Sequence, residues 1–160
     1  MGKKTNRRQD YWDDPKAPKP TNRKASASVL VRDEEGRVLL LRRPDNGLWT
    51  IPTGGVKKNE TVAMAAVREC KEETGIDIEV TGLVGVFSDP RHIVAYADGE
   101  VRQPINICLH ARPVGGEPAV TKEASAVEWV AADAVFSYDI HPAIQLRVEH
   151  GLSSAEPRIG

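Results

Sequence analysis

Apolar and polar positions alternate in short blocks along most of the chain, and only two stretches carry a helical period. Ala25 to Val31 and Val38 to Leu41 are apolar runs flanking Asp33-Glu34-Glu35-Gly36, where the glycine suits a left-handed turn position, so the pair reads as a hairpin. Asp45-Asn46-Gly47 turns the chain again before Trp49 and Ile51, and Pro52, Gly54 and Gly55 then argue against continued strand. Val62 to Thr74 reads as a helix, with Thr61 as N-cap and Gly75 as the C-terminal stop. Ile76 to Phe87 is strand material interrupted by Gly82 and Gly85, and Ile105 to Ala111 is a clearer strand. The polar stretch between them, Asp89 to Pro104, reads as a long loop of the kind that shapes binding sites. Beyond a loop at Gly115-Gly116, Val127 to Val130 is a short strand, Ala131 to Phe136 a helical turn and Ala143 to His150 a terminal helix. Strands interspersed with two main helices imply an α/β layered fold with a mixed sheet. Residues 1–22, polar and rich in Lys, Arg, Asp and Pro, read as an irregular arm, 23–153 as one domain and 154–160 as a tail.

A chain of 160 residues fits one domain with a substantial core. Twenty-two Lys and Arg against twenty-three Asp and Glu leave a formal charge of -1, so no global field favours nucleic acid or an acidic membrane, and phosphate recognition has to be local. The arm's basic cluster, Lys3, Lys4, Arg7 and Arg8, is the exception, read mainly as solvated; Tyr11 and Trp12 beside it are expected to dock on the protein's own surface. Cys70 and Cys108 lie in apolar surroundings without a second pair and fit free thiols of a reducing cytoplasm. No apolar run approaches a membrane span and the residues after Met1 lack a signal-peptide core, so a cytoplasmic location is the expectation.

Chemistry concentrates on the first helix. At about 100° per residue, Val62, Ala63, Ala66, Val67 and Cys70 form one apolar arc, and Glu69, Glu72 and Glu73, at i, i+3 and i+4, share its border. A solvated acidic face is the ordinary reading of such a pattern. Its energetics are poor, however: like charges at i and i+4 cost roughly 0.2–0.5 kcal/mol, and carboxylates in a final turn oppose the helix dipole by roughly 0.3–1 kcal/mol each. A cation among them removes that conflict, and Mg²⁺ is the expected one because it takes hard oxygen ligands. Gly54 and Gly55 let backbone approach a ligand, and Glu60 stands where it can pair with Arg68 across the helix start.

Gly54, five residues, Glu60, seven residues, then Arg68-Glu69-Cys70-Lys71-Glu72-Glu73-Thr74-Gly75-Ile76 resembles the complete Nudix box, nine constrained positions over 23 residues. The resemblance runs from about Ala25 to about Val130 and includes Trp49, Pro52 and Trp129. Cys70 stands where the family prefers an aliphatic residue, Lys57 where many members have Glu, and Thr53 where Gly is frequent. It implies a Nudix-like α/β/α sandwich and a Mg²⁺-dependent hydrolase, with Mn²⁺ as a substitute, cleaving the pyrophosphate linkage of a nucleoside diphosphate joined to another moiety. Glu69, Glu72 and Glu73 would hold the metal, the Gly54 carbonyl would join them, and Glu60 with Arg68 would support the loop. A further carboxylate six residues before the tryptophan of the last strand occurs in some members; Glu123 before Trp129 fits it as ligand or water-activating base, with Glu117 competing and Glu69 or Glu73 as alternative bases.

The substrate side is less determined. Arg42 or Arg43, at a strand end, should face the site, with Arg42 taken as the contact; Arg91 is a candidate for a phosphate or sugar and Tyr96 for stacking on a base. His92 is a weaker candidate for a helper role, and His110, His141 and His150 read as structural or surface residues. A nucleotide-type small molecule is the expected partner, ranked ahead of nucleic acid, and a homodimer is left open. Dinucleoside or sugar-linked diphosphates rank slightly above nucleoside triphosphates, because the 89–104 loop has room for a second moiety. A non-catalytic, nucleotide-binding regulatory module is the alternative from another class.

Overall fold

The computed structural model describes residues 8–160, so Lys3, Lys4 and Arg7 lie outside it. Its strands are β1 (Gln9–Trp12), β2 (Ala25–Val31), β3 (Val38–Arg42), β4 (Trp49–Thr50), β5 (Thr53–Gly55), β6 (Ile76–Phe87), β7 (His92–Ala95), β8 (Val101–Arg102), β9 (Ile105–Gly116), β10 (Ala126–Val130) and β11 (Arg158–Ile159). The helices are α1 (Val62–Thr74) and α2 (Pro142–Ser153), preceded by a 3₁₀ turn at Val135–Ser137. The main sheet has the order β11-β6-β9-β2-β5, flanked by the smaller sheets β10-β3-β4 and β1-β7-β8. β2 runs parallel to β9 and β11 parallel to β6, while β6–β9 and β2–β5 are antiparallel, so the sheet is mixed.

Alternation along the strands divides the interior in two. Leu30, Val38, Leu40, Val84 and Cys108 pack with Ile144 and Val148 of α2, whereas Val29, Val31, Leu39 and Leu109 pack with Ala65, Ala66 and Cys70 of α1. With a helix on each face, both sides of β2 and β3 are buried, and their apolar runs are continuous rather than alternating. The architecture is an α/β/α sandwich.

Several expectations change. β2 and β3 do not form a hairpin ladder: the chain turns at Asp33, whose carboxylate accepts from the Glu35 and Arg37 amides, but the strands enter different sheets and touch through the single bridge Arg32–Val38. β6 is one continuous strand that absorbs its glycines as register shifts at Val80/Gly82 and Leu83/Gly85. The 89–104 segment holds β7 and β8 and is not a plain loop. The arm expected to be irregular contributes β1, which pairs antiparallel with β7 from Gln9–Ala95 to Trp12–His92, and the tail contributes β11 against β6. In both cases the partner strand supplies the hydrogen bonds, so the local sequence carries little strand signal.

α2 buries Ala143, Ile144, Arg147, Val148 and Gly151 on one stripe, and a Cβ on Gly151 would collide with Leu30 and crowd Val84. Replacing a helical glycine by alanine gains about 1 kcal/mol in propensity, while overpacking costs about 1–3 kcal/mol. G151A is therefore expected to lower unfolding stability by about 1 kcal/mol in denaturant titration, although the same change at an exposed helical glycine would raise it.

Candidate metal centre and substrate cleft

α1 is fixed at both ends by its own sequence. The Thr61 hydroxyl accepts from the Met64 amide at 3.1 Å, and Gly75, at φ 80°, closes the helix with its N–H on the Lys71 carbonyl. The buried face is Ala65, Ala66, Cys70, Glu73 and Thr74, rotated from the expected apolar arc toward the carboxylates, with Val67 left 36% exposed. Small residues at 65 and 66 allow this close approach to β2. On the facing strand β5, a Cβ on Gly54 would overlap the Glu69 carboxylate, so only glycine lets this backbone lie against that side chain.

Arg68 ties loop to helix. Its Nη2 donates to Glu60 Oε1 at 2.7 Å and to the Gly55 carbonyl at 3.0 Å, its Nε to Glu60 Oε2 at 3.1 Å, and its Nη1 to Glu69 Oε1 at 2.8 Å. The Lys57 amide adds a bond of 2.6 Å to Glu60, and these partners, Arg68 first, hold the Glu60 carboxyl down to about 2.

Glu69, Glu73 and Glu123 come together: each offers a carboxylate oxygen, and the three lie within 4.8 Å of one another. Glu73 is 6% exposed and accepts from the Thr53 amide at 2.9 Å, while the Thr121 hydroxyl, in the loop bearing Glu123, donates to the Glu73 carbonyl at 3.0 Å. Burial, with the charges of Glu69 and Glu123 adding to it, pushes the Glu73 carboxyl well above the ordinary carboxylate range, and burial also raises Glu69. Three crowded carboxylates, of which Glu69 and Glu73 resist ionising, are a donor set that fits a hard divalent cation.

Glu72 is outside this set. Its side chain is 47% exposed and 3.4 Å from Arg68 Nη1. At about 100° per residue it lies on the opposite side of Glu69 from Glu73. The substrate candidates also separate. Arg42 turns away and donates to the Gly47 carbonyl at 3.1 Å, while its neighbour Arg43 lines the cleft with Glu69, Glu73, Glu123, Arg8 and Lys122. Arg91 pairs with Asp89 at 2.7 Å and lies 4.6 Å over the Trp12 ring, away from the cleft. Tyr96 lines a neighbouring cavity of about 440 Å³, its ring 4.4 Å below the Arg102 guanidinium. Glu117 is not part of the carboxylate group; its carbonyl oxygen lies against Gly75.

Sequence reasoning missed a second cluster. Asp10 of β1, His92 of β7 and His141, the N-cap of α2, offer donor atoms within 4.8 Å of one another, and Trp12 packs against both imidazoles. Arg8 occupies both Asp10 oxygens, at 2.8 Å and 3.1 Å, and His92 Nε2 is 3.1 Å from Asp10 Oδ1. A dication added here would face that guanidinium and the buried Arg147 guanidinium near the histidines, so the group acts as a lock that seats the arm. Asp10 and His92 are 82 residues apart, and no local signal joins them.

A family model for the NUDIX domain matches residues 22–149. The chain belongs to the Nudix family. A MutT-like protein of Streptomyces ambofaciens is 35% identical over 141 residues, which cover 88% of this Nudix chain and 83% of that protein. An ADP-ribose pyrophosphatase of Methanocaldococcus jannaschii is 35% identical over 103 residues, covering 62% of this chain and 57% of that protein. Among solved structures, a NUDIX hydrolase from Nitrosomonas europaea superposes with a TM-score of 0.72 at 23% identity, covering 88% of this chain and 78% of that one, and shows the same fold. The protein is a Nudix-type hydrolase, and its carboxylate cluster is of a kind that could hold a divalent metal.

Two measurements check these assignments. E73Q keeps the acceptor for Thr53 while removing a buried charge, so in chelator-treated protein it should raise stability by roughly 1 kcal/mol, whereas E72Q should change it little. Mg²⁺ should raise the wild-type Tm, and E73Q should lose most of that increment. Burial holds His141 down to about 4, so between pH 6.5 and about 4 the unfolded chain takes up a proton that the folded one refuses, and stability falls with pH across that window. H141N retains a cap acceptor without titrating, so wild-type Tm should fall more than that of H141N as pH is lowered from 7 to 4.

Proposed function

We propose that this Nudix hydrolase cleaves the pyrophosphate linkage of a nucleoside diphosphate joined to a second moiety. The observation that carries the reading is that Glu69 lines both the carboxylate cleft and the 440 Å³ cavity beside it, with Thr53 and Arg8 also shared. A diphosphate at the carboxylates therefore has adjoining room for a further group, of the size that small-molecule sites ordinarily have.

Glu69, Glu73 and Glu123 would hold Mg²⁺, or Mn²⁺ in its place, joined by the Gly54 carbonyl and by Glu72 once its contact with Arg68 is released. When bound, the ion screens the bridging charge and lowers the pKa of water. The residues of the chain do the rest. Arg43, which lines the cleft and is held by Asp45 at 2.7 Å, would pair with a non-bridging phosphate oxygen. Glu123, on an exposed loop, accepts the proton of the attacking water; a new P–O bond forms as the bridging P–O bond breaks, and the leaving phosphate departs with the electron pair. Arg68 and Glu60 hold Glu69 and the Gly55 backbone in place, which is most of what such a transfer asks of a protein. Tyr96 offers a ring for stacking on a base or sugar.

Among the described residues no helix is long and apolar enough to cross a membrane, and the two cysteines are buried and free, which supports a cytoplasmic location. Relatives named for different substrates, 8-oxo-dGTP in a putative diphosphatase of Bacillus subtilis and RNA in a pyrophosphohydrolase of Marinomonas, leave the leaving group to experiment.

The test is a panel of nucleoside triphosphates, nucleoside diphosphate sugars and dinucleoside polyphosphates with Mg²⁺, products separated by mass. Release of nucleoside monophosphate from a diphosphate-linked substrate is the expected result, with E123Q lowering kcat about 10²-fold or more, the usual scale for general-base loss. Exclusive turnover of triphosphates would replace this reading with that of a triphosphate pyrophosphohydrolase. Tight nucleotide binding by folded, metal-loaded protein without turnover would make it a binding module.

A further inference from the structure

One side chain in the cavity has no explanation in the chemistry above. Arg147 sits on the buried stripe of α2, between Ile144 and Val148, where the helical pattern calls for an apolar residue. It is 4% exposed, its Nε has no hydrogen-bond partner among the described residues, and it lines the 440 Å³ cavity with Gly54, Gly55, Glu69, Tyr96 and Arg102.

Of the other cations around that cavity, Lys57 is in no ion pair among the described residues, and the remaining three are committed. Arg8 is held by Asp10 at 2.8 Å, Arg102 by Glu100 at 2.8 Å, and Lys24 by the same glutamate at 3.4 Å. Arg147 is buried with no carboxylate bonded to it, and burial depresses its pKa to about 10. A guanidinium kept desolvated and unpaired is strongly unfavourable unless an anion arrives to pair with it. An apolar side chain at position 147 would stabilise the empty protein better.

We propose that Arg147 is the floor of an anion subsite that takes a phosphoryl group of the substrate lying beyond the bond cleaved. The inference rests on the reading of the carboxylate cleft as the diphosphate site, since Glu69 and Arg147 line one cavity. Two sources share this chemistry: the far phosphate of a triphosphate chain, or a phosphate monoester on the moiety joined to the nucleoside diphosphate. The fork of guanidinium donors matches phosphate oxygens, and Arg8 and Arg102, each paired with a carboxylate, line the same volume.

The decisive experiment avoids turnover. In chelator-treated full-length protein, inorganic phosphate should raise the wild-type Tm in a saturable way. R147M should melt higher than wild type without phosphate and bind phosphate at least ten-fold more weakly. An unchanged phosphate response in R147M overturns the proposal, and so does a lower Tm without phosphate, which would make the guanidinium a structural group. Should R147M fail to fold, the side-chain Nε–H resonance of Arg147 in ¹⁵N-labelled wild type, assigned with R147K, decides: a saturable shift with phosphate supports the subsite and a fixed resonance refutes it. With Mg²⁺, the two sources are told apart by kcat/KM. Loss in R147M confined to triphosphates identifies the chain phosphate, and loss confined to a phosphate-bearing nucleoside diphosphate sugar identifies the monoester. Absence of any wild-type turnover would sink the hydrolase reading, while the phosphate melts report on Arg147 independently.

Discussion

Crowding of negative charge at the end of α1 is the constraint around which the rest of this protein is arranged. Glu69, Glu73 and Glu123 share one small volume, in which burial and neighbouring charge make Glu69 and Glu73 costly to ionise without a cation, and Glu73 is nearly withdrawn from water as well. Such an arrangement persists only if the surrounding structure holds it, and each neighbouring element contributes. The Thr61 and Gly75 caps fix the helix, the β2–β5 ladder carries Gly54 against Glu69, and Arg68 spans Glu60, the Gly55 carbonyl and Glu69. Thr121 pins the loop that brings Glu123 over the top. Stability is given up locally and recovered in the two apolar layers on either side of the sheet, where β2 and β3 are buried on both faces.

What could be read from the sequence follows from how local each determinant is. The span of α1, its caps, and the pairing of Glu60 with Arg68 all lie within a stretch of 16 residues from Glu60 to Gly75, and pattern and spacing reach that far. Glu69, Glu73 and Glu123 were singled out together and converge; Glu72 shares their helix yet turns toward Arg68, because a period of 3.6 residues spreads three carboxylates over a wide arc and the twist of the packing decides which two face inward. At the end of β3, alternation along a strand puts neighbouring arginines on opposite faces without saying which is which, and pairing of β3 with β10 and β4 leaves Arg43 lining the cleft and Arg42 on the Gly47 carbonyl.

Long-range features were beyond such reasoning. β1 exists because β7 offers it a ladder, and Asp10 finds His92 across 82 residues of intervening chain. Segment 89–104 reads as a loop because its two strands are short, His92–Ala95 and Val101–Arg102, and stand among polar turn residues. Arg147 did leave a trace, a charged residue at a core position of an otherwise apolar helical stripe, of the kind that marks either a buried ion pair or a waiting site.

The seating of β1 separates two jobs that many enzymes leave entangled. The helix and loop that gather the carboxylates contact the core directly, while the arm borders the cleft through its ladder with β7, the Asp10–His92 contact and Trp12 against His141, with Arg8 projecting from it into both the carboxylate cleft and the adjoining cavity. Changes in the arm can therefore reshape what the cavity admits without disturbing the caps, the Arg68 clamp or the spacing of Glu69 and Glu73. The first strand is in this sense a cuff around the cleft, and the machinery behind it has supports of its own.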